Sequence, residues 1–168
     1  GLTDAELDRI TAGLLTIGND HTEGLTVSGA ITRATLTHLD LFTRADTNID
    51  FAGAGSLDSA SGDITLTTGG TGAITSGNAA ADVISGTGSV AATAGSGGIG
   101  ASGNAFSMTA DVFGSQTTGN GNQFLLSTGT TTLASDGITA GSGTIEFAGG
   151  TFLTGNNQRI DDDSSIRL

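Results

Sequence analysis

Hydrophobic residues in this chain come in short alternating groups rather than long runs. Leu15-Thr16-Ile17-Gly18, Leu25-Thr26-Val27, Leu39-Asp40-Leu41, Ile49-Asp50-Phe51, Ile64-Thr65-Leu66 and Ile145-Glu146-Phe147 all read apolar–polar–apolar. A period of two sends alternate side chains to opposite faces, so each group predicts a short strand with one buried face. Gly with Asn punctuates them at Ser76-Gly77-Asn78, Gly103-Asn104, Gly119-Asn120-Gly121-Asn122 and Gly155-Asn156-Asn157. These residue types favour turns that need positive φ.

Strand starts recur about ten residues apart: Leu15 leads to Leu25, and Ile64 to Ile74 and then Val83-Ile84. Such spacing suits a sandwich, a barrel or a solenoid. Three features favour the solenoid. Aromatics are scarce, with seven Phe and no Trp or Tyr. No matched hairpin register is evident. Small residues, as in Ser89–Thr93 and Ala134–Thr139, suit tight corners and a narrow stacked interior. The expected fold is all-β, a right-handed parallel β-helix with rungs of roughly 20–25 residues stacked at about 4.8 Å. Seven such rungs would make a rod of roughly 35 Å. A chain without Pro fits, because every interior strand must donate to its neighbours. A sandwich is the competing architecture.

Composition refines the picture. Gly, Thr and Ser together exceed two fifths of the 168 residues, as in a flexible linker. The recurring Ile, Leu, Val and Phe have no use in a linker, so the chain folds. The net charge is −12, and all five basic residues are Arg. Nothing there neutralises phosphates, which makes nucleic acid a poor partner. No apolar run reaches bilayer length, and no secretion signal opens the chain. Residue 1 is therefore expected to be a processed terminus or a cut inside a longer polypeptide. Cys is absent, so disulfides play no part. Residues 64–135 hold only Asp82 and Asp111 among the 17 acids. Solubility there must come from hydroxyls, Asn and Gly turns.

The opening stretch differs from the rest. Thr3-Asp4-Ala5-Glu6 is a capping-box pattern, with Thr3 as N-cap and Glu6 three residues on. Acids in the first turn suit the helix dipole, and Leu7 with Ile10 gives an apolar side. The reading is a single domain: residues 1–13 a short helical cap or junction, and 14–168 stacked rungs.

Two stretches carry a resemblance. Residues 1–18, GLTDAELDRITAGLLTIG, lead into the strand Leu25–Ile31. Residues 97–108, GGIGASGNAFSM, are followed after a loop by Phe124-Leu125-Leu126. Together these resemble secreted bacterial β-strand-repeat proteins of the filamentous haemagglutinin type. The resemblance covers about 30 residues as specific motifs and most of the chain as a style. It implies a right-handed β-helix, export across the bacterial envelope and an adhesive or structural role, and it brings no catalytic residues. The secretion-signal domain that heads such proteins is not recognisable here, which implies an internal block or processed unit.

Candidate chemistry is thin. Asp161, Asp162 and Asp163 could gather carboxylate oxygens for Ca²⁺, but no Gly-spaced Asp repeat accompanies them and a solvated turn explains them as well. His21 and His38 lack Cys partners for zinc. Many Ser residues but no G-x-S-x-G elbow speak against a hydrolase triad. A polysaccharide lyase would want Lys and aromatic platforms that are missing. Thr-rich strands raise ice binding, yet their spacing is irregular, and Thr is a good exposed strand residue in any case. Phe106, Met108, Phe113 and Phe124 read as core, with an exposed contact patch as the alternative.

The expected function is non-enzymatic. The chain would be a stiff extracellular or cell-surface β-solenoid block of a fibre, pairing head to tail with itself or with neighbouring blocks through its open ends. Leu2, Leu7, Ile10, Ile166 and Leu168 are the candidate junction residues, and no cofactor is expected beyond the Ca²⁺ option. The alternatives are an adhesin whose loops grip a cell-surface ligand, and a polysaccharide-active β-helix enzyme.

Overall fold

Each alternating group does form a strand, and each strand lies parallel to its counterpart one turn away. The computed structural model describes residues 1–77, 81–154, 160–162 and 165–167, with residues 161, 162 and 165–167 as backbone only. Helix α1 (Asp4–Leu7) comes first. The first turn is β1 (Leu14–Gly18), β2 (Leu25–Val27) and β3 (Ala30–Thr32), and the second β4 (His38–Phe42), β5 (Ile49–Phe51) and β6 (Ser56–Asp58). Then follow β7 (Asp63–Thr67), β8 (Ala73–Ser76), β9 (Val83–Ala94), β10 (Gly98–Ile99), β11 (Phe106–Thr117), β12 (Gln123–Ala140), β13 (Thr144–Leu153), β14 (Ile160–Asp162) and β15 (Ser165–Arg167). The longer strands bend around corners and serve more than one side of the coil.

All pairings between these strands are parallel, and the result is a three-sided β-solenoid of about six turns. A sandwich would have needed antiparallel pairs. On the first side, Leu15, Leu39, Ile64, Val90, Phe113 and Leu133 stand in one column. On the second, Leu25, Ile49, Ile74, Ile99, Gln123 and Ile145 do the same. Ile31, Leu57, Val83 and Met108 make the third. Stacking places identical environments one above another, so each turn covers apolar surface that its neighbour could not bury alone. Ile49, Ile64, Ile74, Ile99 and Leu125 are all fully buried. Phe51 and Phe106 meet inside with ring centroids 6.0 Å apart.

The turn count corrects the expected seven. Along the second side, partners Leu25, Ile49, Ile74 and Ile99 are 24 or 25 residues apart, and residues 1–13 precede the coil. Longer turns and an uncoiled start leave room for about six. Turns shorten toward the far end, where Gln123 pairs with Ile145 and Ile145 with Ile166.

The small-residue segments Ser89–Thr93 and Ala134–Thr139 read as suited to tight corners and a narrow stacked interior. They lie within β9 and β12, and their small residues face a narrow interior at Ala92 or widen a bulge at 134–137. Of the turn motifs, Gly103 and Gly119 take positive φ as expected, at 85° and 62°. Asn78 and Gly155-Asn156-Asn157 lie outside the described residues. Two corners adopt left-handed backbone without Gly, at Asp46 and Ala60. Gly86, φ 53°, stacks on Ala60, where an added Cβ would run into the Ala60 carbonyl.

Removing a rung of the interior column should be costly, and removing its outward neighbour should not. Ile74→Ala is expected to lower unfolding free energy by about 3 kcal/mol, and Thr26→Ala, on the exposed face, by less than about 0.5 kcal/mol. Equilibrium denaturation in urea checks both.

Candidate functional site

Most acids with described partners hold turns together. Asp46 Oδ1 accepts the Thr71 backbone N–H at 2.8 Å, and Asn48 Oδ1 accepts that of Ala73 at 3.0 Å. Asp63 Oδ1 accepts from the Ser89 N–H and Oγ, both at 2.8 Å, and Asn122 Oδ1 accepts the Thr144 N–H at 2.8 Å. In every case the acceptor lies one turn before the donor. Such bonds satisfy backbone donors at corners where the strand ladder lapses.

His38 belongs to the same fabric. Its Nε2 is 2.7 Å from Asp40 Oδ1 and 2.8 Å from Thr65 Oγ1, and its Nδ1 is 4.0 Å from Asp63 Oδ2. Thr16 donates to Asp40 in turn. The result is a half-exposed polar seam across the first four turns. His21 pairs with Asp20 elsewhere on the surface. Among the described residues no three His, Asp or Glu side chains converge to hold a metal ion. Asp163 and Leu168, and the side chains of Asp161, Asp162 and Ile166, lie outside the described residues.

Two polar clusters inside the coil escaped the sequence reading. Gln123 interrupts the aliphatic column of the second side, fully buried. Its amide N–H₂ donates to the Thr139 carbonyl and Thr117 Oγ1, and its Oε1 accepts from Ser115. Asp82 is fully buried as well. Its Oδ2 accepts from the Ser107 N–H at 2.8 Å and Oγ at 3.2 Å, while Oδ1 has no hydrogen-bond partner. Burial pushes the Asp82 carboxyl above the ordinary aspartate range despite hydrogen bonds from Ser107 and Ser76. The available signal was an isolated acid in an otherwise neutral, apolar stretch, Ala81-Asp82-Val83-Ile84. Phe106, Met108 and Phe113 are core, as expected, whereas Phe124 is only half-buried and lines a shallow outer depression with Leu126 and Ala148.

The N-terminal end of the coil is the candidate functional site. The capping box is complete: Thr3 Oγ1 accepts the Glu6 N–H, and the Glu6 carboxylate accepts the Thr3 N–H. The Thr3 backbone N–H and then the Thr3 hydroxyl, both donating to the Glu6 carboxylate, hold that exposed carboxyl below the usual range. Leu7 is 3% exposed against the first turn. Arg33 is almost as buried, and its guanidinium donates to Asp8 Oδ1 at 2.9 Å and to the Ile10 carbonyl at 2.7 Å. Beneath α1 remains a cavity of about 590 Å³, lined by Leu2, Leu7, Leu25, Ile31, Leu41 and Leu57 among others. Of the proposed junction residues, Leu7 thus serves the chain's own first turn, and Leu2 and Ile10 are exposed.

Asp82 and Asp63 give opposite pH signatures. Ser89 holds the Asp63 carboxyl low, through its backbone N–H and then its hydroxyl. Asp63 therefore contributes stability above the unfolded-state value of about 3.9, lost as pH falls through the lower folded value. Asp82, raised, is neutral in both states at low pH, and its charging cost enters as pH climbs through the range between unfolded and folded values. Relative to the parent, Asp82→Asn should gain stability between pH 3 and pH 7, whereas Asp63→Asn should lose it. Urea titrations at pH 3, 5 and 7 measure both differences.

Among the described residues, no helix is long and apolar enough to cross a membrane. Comparison with protein-family models, with curated proteins and with solved structures finds no match of the chain to any of them.

Proposed function

We propose that this chain is a non-enzymatic, rod-like subunit or block of an extracellular or cell-surface fibre, stacked end to end with copies of itself or with neighbouring blocks. The observation that supports the reading is where large apolar side chains remain in water. Among the described residues these are Leu2, Ile10 and Leu14 at the first turn and Leu153 on β13 toward the other end. Exposed apolar residues gathered at the ends, beside strand edges open to pairing, suit association along the axis. The coil's sides between them carry Thr, Ser, Asn and acids. An acidic, Lys-free surface disfavours sideways clumping. The resemblance to filamentous haemagglutinin-type proteins, carried by residues 1–18 and 97–108, points to the same role on a bacterial surface.

One feature favours a second reading, a binding module. A concavity of about 340 Å³ opens on the first side, floored by Ala91 and Gly114 and rimmed by Thr93, Gln116, Asp136 and Thr139. A third reading, a polysaccharide-active enzyme, would require glycan turnover.

Under the stacking reading, electron microscopy and sedimentation of the chain should reveal linear assemblies that lengthen with concentration. Leu14→Asp combined with Leu153→Asp should abolish them while the strand circular dichroism stays intact. A monodisperse rod that binds cells would instead support the binding module, and glycan depolymerisation lost on changing one surface acid would overturn the non-enzymatic reading.

A further inference from the structure

The Asp4 carboxylate makes a bond that belongs to a pattern. At Thr71, Ala73, Ser89, Ser107 and Thr144, a backbone N–H is received by an Asp or Asn side chain one turn earlier, 22 to 26 residues back. Thr32 lies on β3, in the first turn among the described residues. Its N–H donates to Asp4 Oδ1 at 2.8 Å, 28 residues back and just outside the coil. Asp4 therefore stands where a preceding turn would stand.

Helix α1 holds that place with few contacts. It packs on β3, buries only Leu7 among its four residues, and is tied down by Asp4 to Thr32 and by the adjoining Asp8 to Arg33. The cavity of about 590 Å³ lies between α1 and the first two turns; of the side chains lining it, Leu25 and Ile31 are only half-buried, whereas Leu41 and Leu57 are buried. A stacked turn of strands would cover the two half-buried side chains better than a single turn of helix does, since stacking is how every later turn covers its own.

We infer that α1 is a displaceable plug on the docking face for a second copy of this chain: seated, it satisfies the β3 edge and blocks stacking, and displaced, it frees that edge for the last turn of the next copy. The occupant is a second copy because the docking face repeats the three-sided parallel register of the coil, and because exposed apolar side chains of the coil's own strands occur toward both of its ends, Leu14 on β1 and Leu153 on β13. The inference rests on the stacking reading. The seated plug lowers apparent affinity by the fraction of molecules in which it is open. Once detached, a four-residue helix has too few hydrogen bonds to persist.

Three full-length chains test it by sedimentation and electron microscopy: the parent, Asp4→Ala with Asp8→Ala, and Asp20→Ala with Glu23→Ala. The last pair removes the same charge from the first turn without touching the plug. Releasing the plug should lower the concentration for half-assembly by about tenfold, and the charge control should stay within about twofold of the parent. Equal gains in both variants, or no gain in the plug variant, would overturn the plug while leaving stacking intact. If neither the parent nor the variants assemble at any concentration, stacking itself fails and the plug with it. Should the plug variant lose its strand circular dichroism, hydrogen exchange in parent assemblies decides. The Leu7 and Asp8 amides, bonded to the Thr3 and Asp4 carbonyls in the seated helix, should lose protection while Thr32 keeps it. Retained protection at Leu7 and Asp8 overturns the plug.

Discussion

Everything in this molecule depends on the parallel ladder between turns. A strand of three to five residues cannot hold itself together, and here each one is fastened by backbone hydrogen bonds to a strand one turn away. The same pairing sets side chains in vertical columns, so the choice at one height constrains the next. Isoleucines at 49, 74 and 99 follow one another on the second side because the site each fills is shaped by the one below. Burying a side chain of this size contributes about 1.5–3 kcal/mol, repeated at each turn. That repetition is how a chain so poor in aromatics acquires a core.

The ladder also explains the acids. Where the chain turns a corner, backbone donors lose their strand partners, and a short Asp or Asn side chain from the previous turn takes them over. The carboxylates of Asp46 and Asp63 are thereby occupied in bonds between turns. The exceptions are inside. Gln123 interrupts its column with an amide satisfied from three directions, whereas Asp82 keeps one carboxylate oxygen without a partner. Satisfied polar groups of the first kind fix register at little cost, and a buried acid of the second kind ties stability to pH.

A ladder has ends, and there its logic fails. Among the described residues, the strands of the first turn have a strand on one side only, and Leu25 and Ile31 there are only half-buried. The chain's answer is a minimal helix, placed by its capping box, with one carboxylate imitating the missing turn and one buried arginine clamping the chain that follows it. The cavity left beneath measures how imperfect a substitute a helix is for another turn of strands. Arg33 illustrates the dependence: a buried guanidinium is tolerable only because Asp8 and the Ile10 carbonyl meet it there.

Much of this was legible in the residues. The strands at Leu15, Leu25, Leu39, Ile49, Ile64 and Ile145, their parallel solenoid arrangement and the capping box at Thr3 and Glu6 all follow from local patterns: a period of two, even spacing and a four-residue motif. The six turns rather than seven, the bulge at 134–137, the roles of Arg33, Asp82 and Gln123, and the choice between cap and junction for Leu7 were not legible. Each of these depends on which residue stands one turn, some 19 to 26 positions, away, and that register is set by bulges and corner lengths summed along the coil. Alternation is a property of neighbours in sequence, so the sequence alone determined where strands form and which way their side chains face. Partnership across the ladder belongs to neighbours in space, and only the tertiary structure decided which carboxylates became staples and what the end of the coil leaves uncovered.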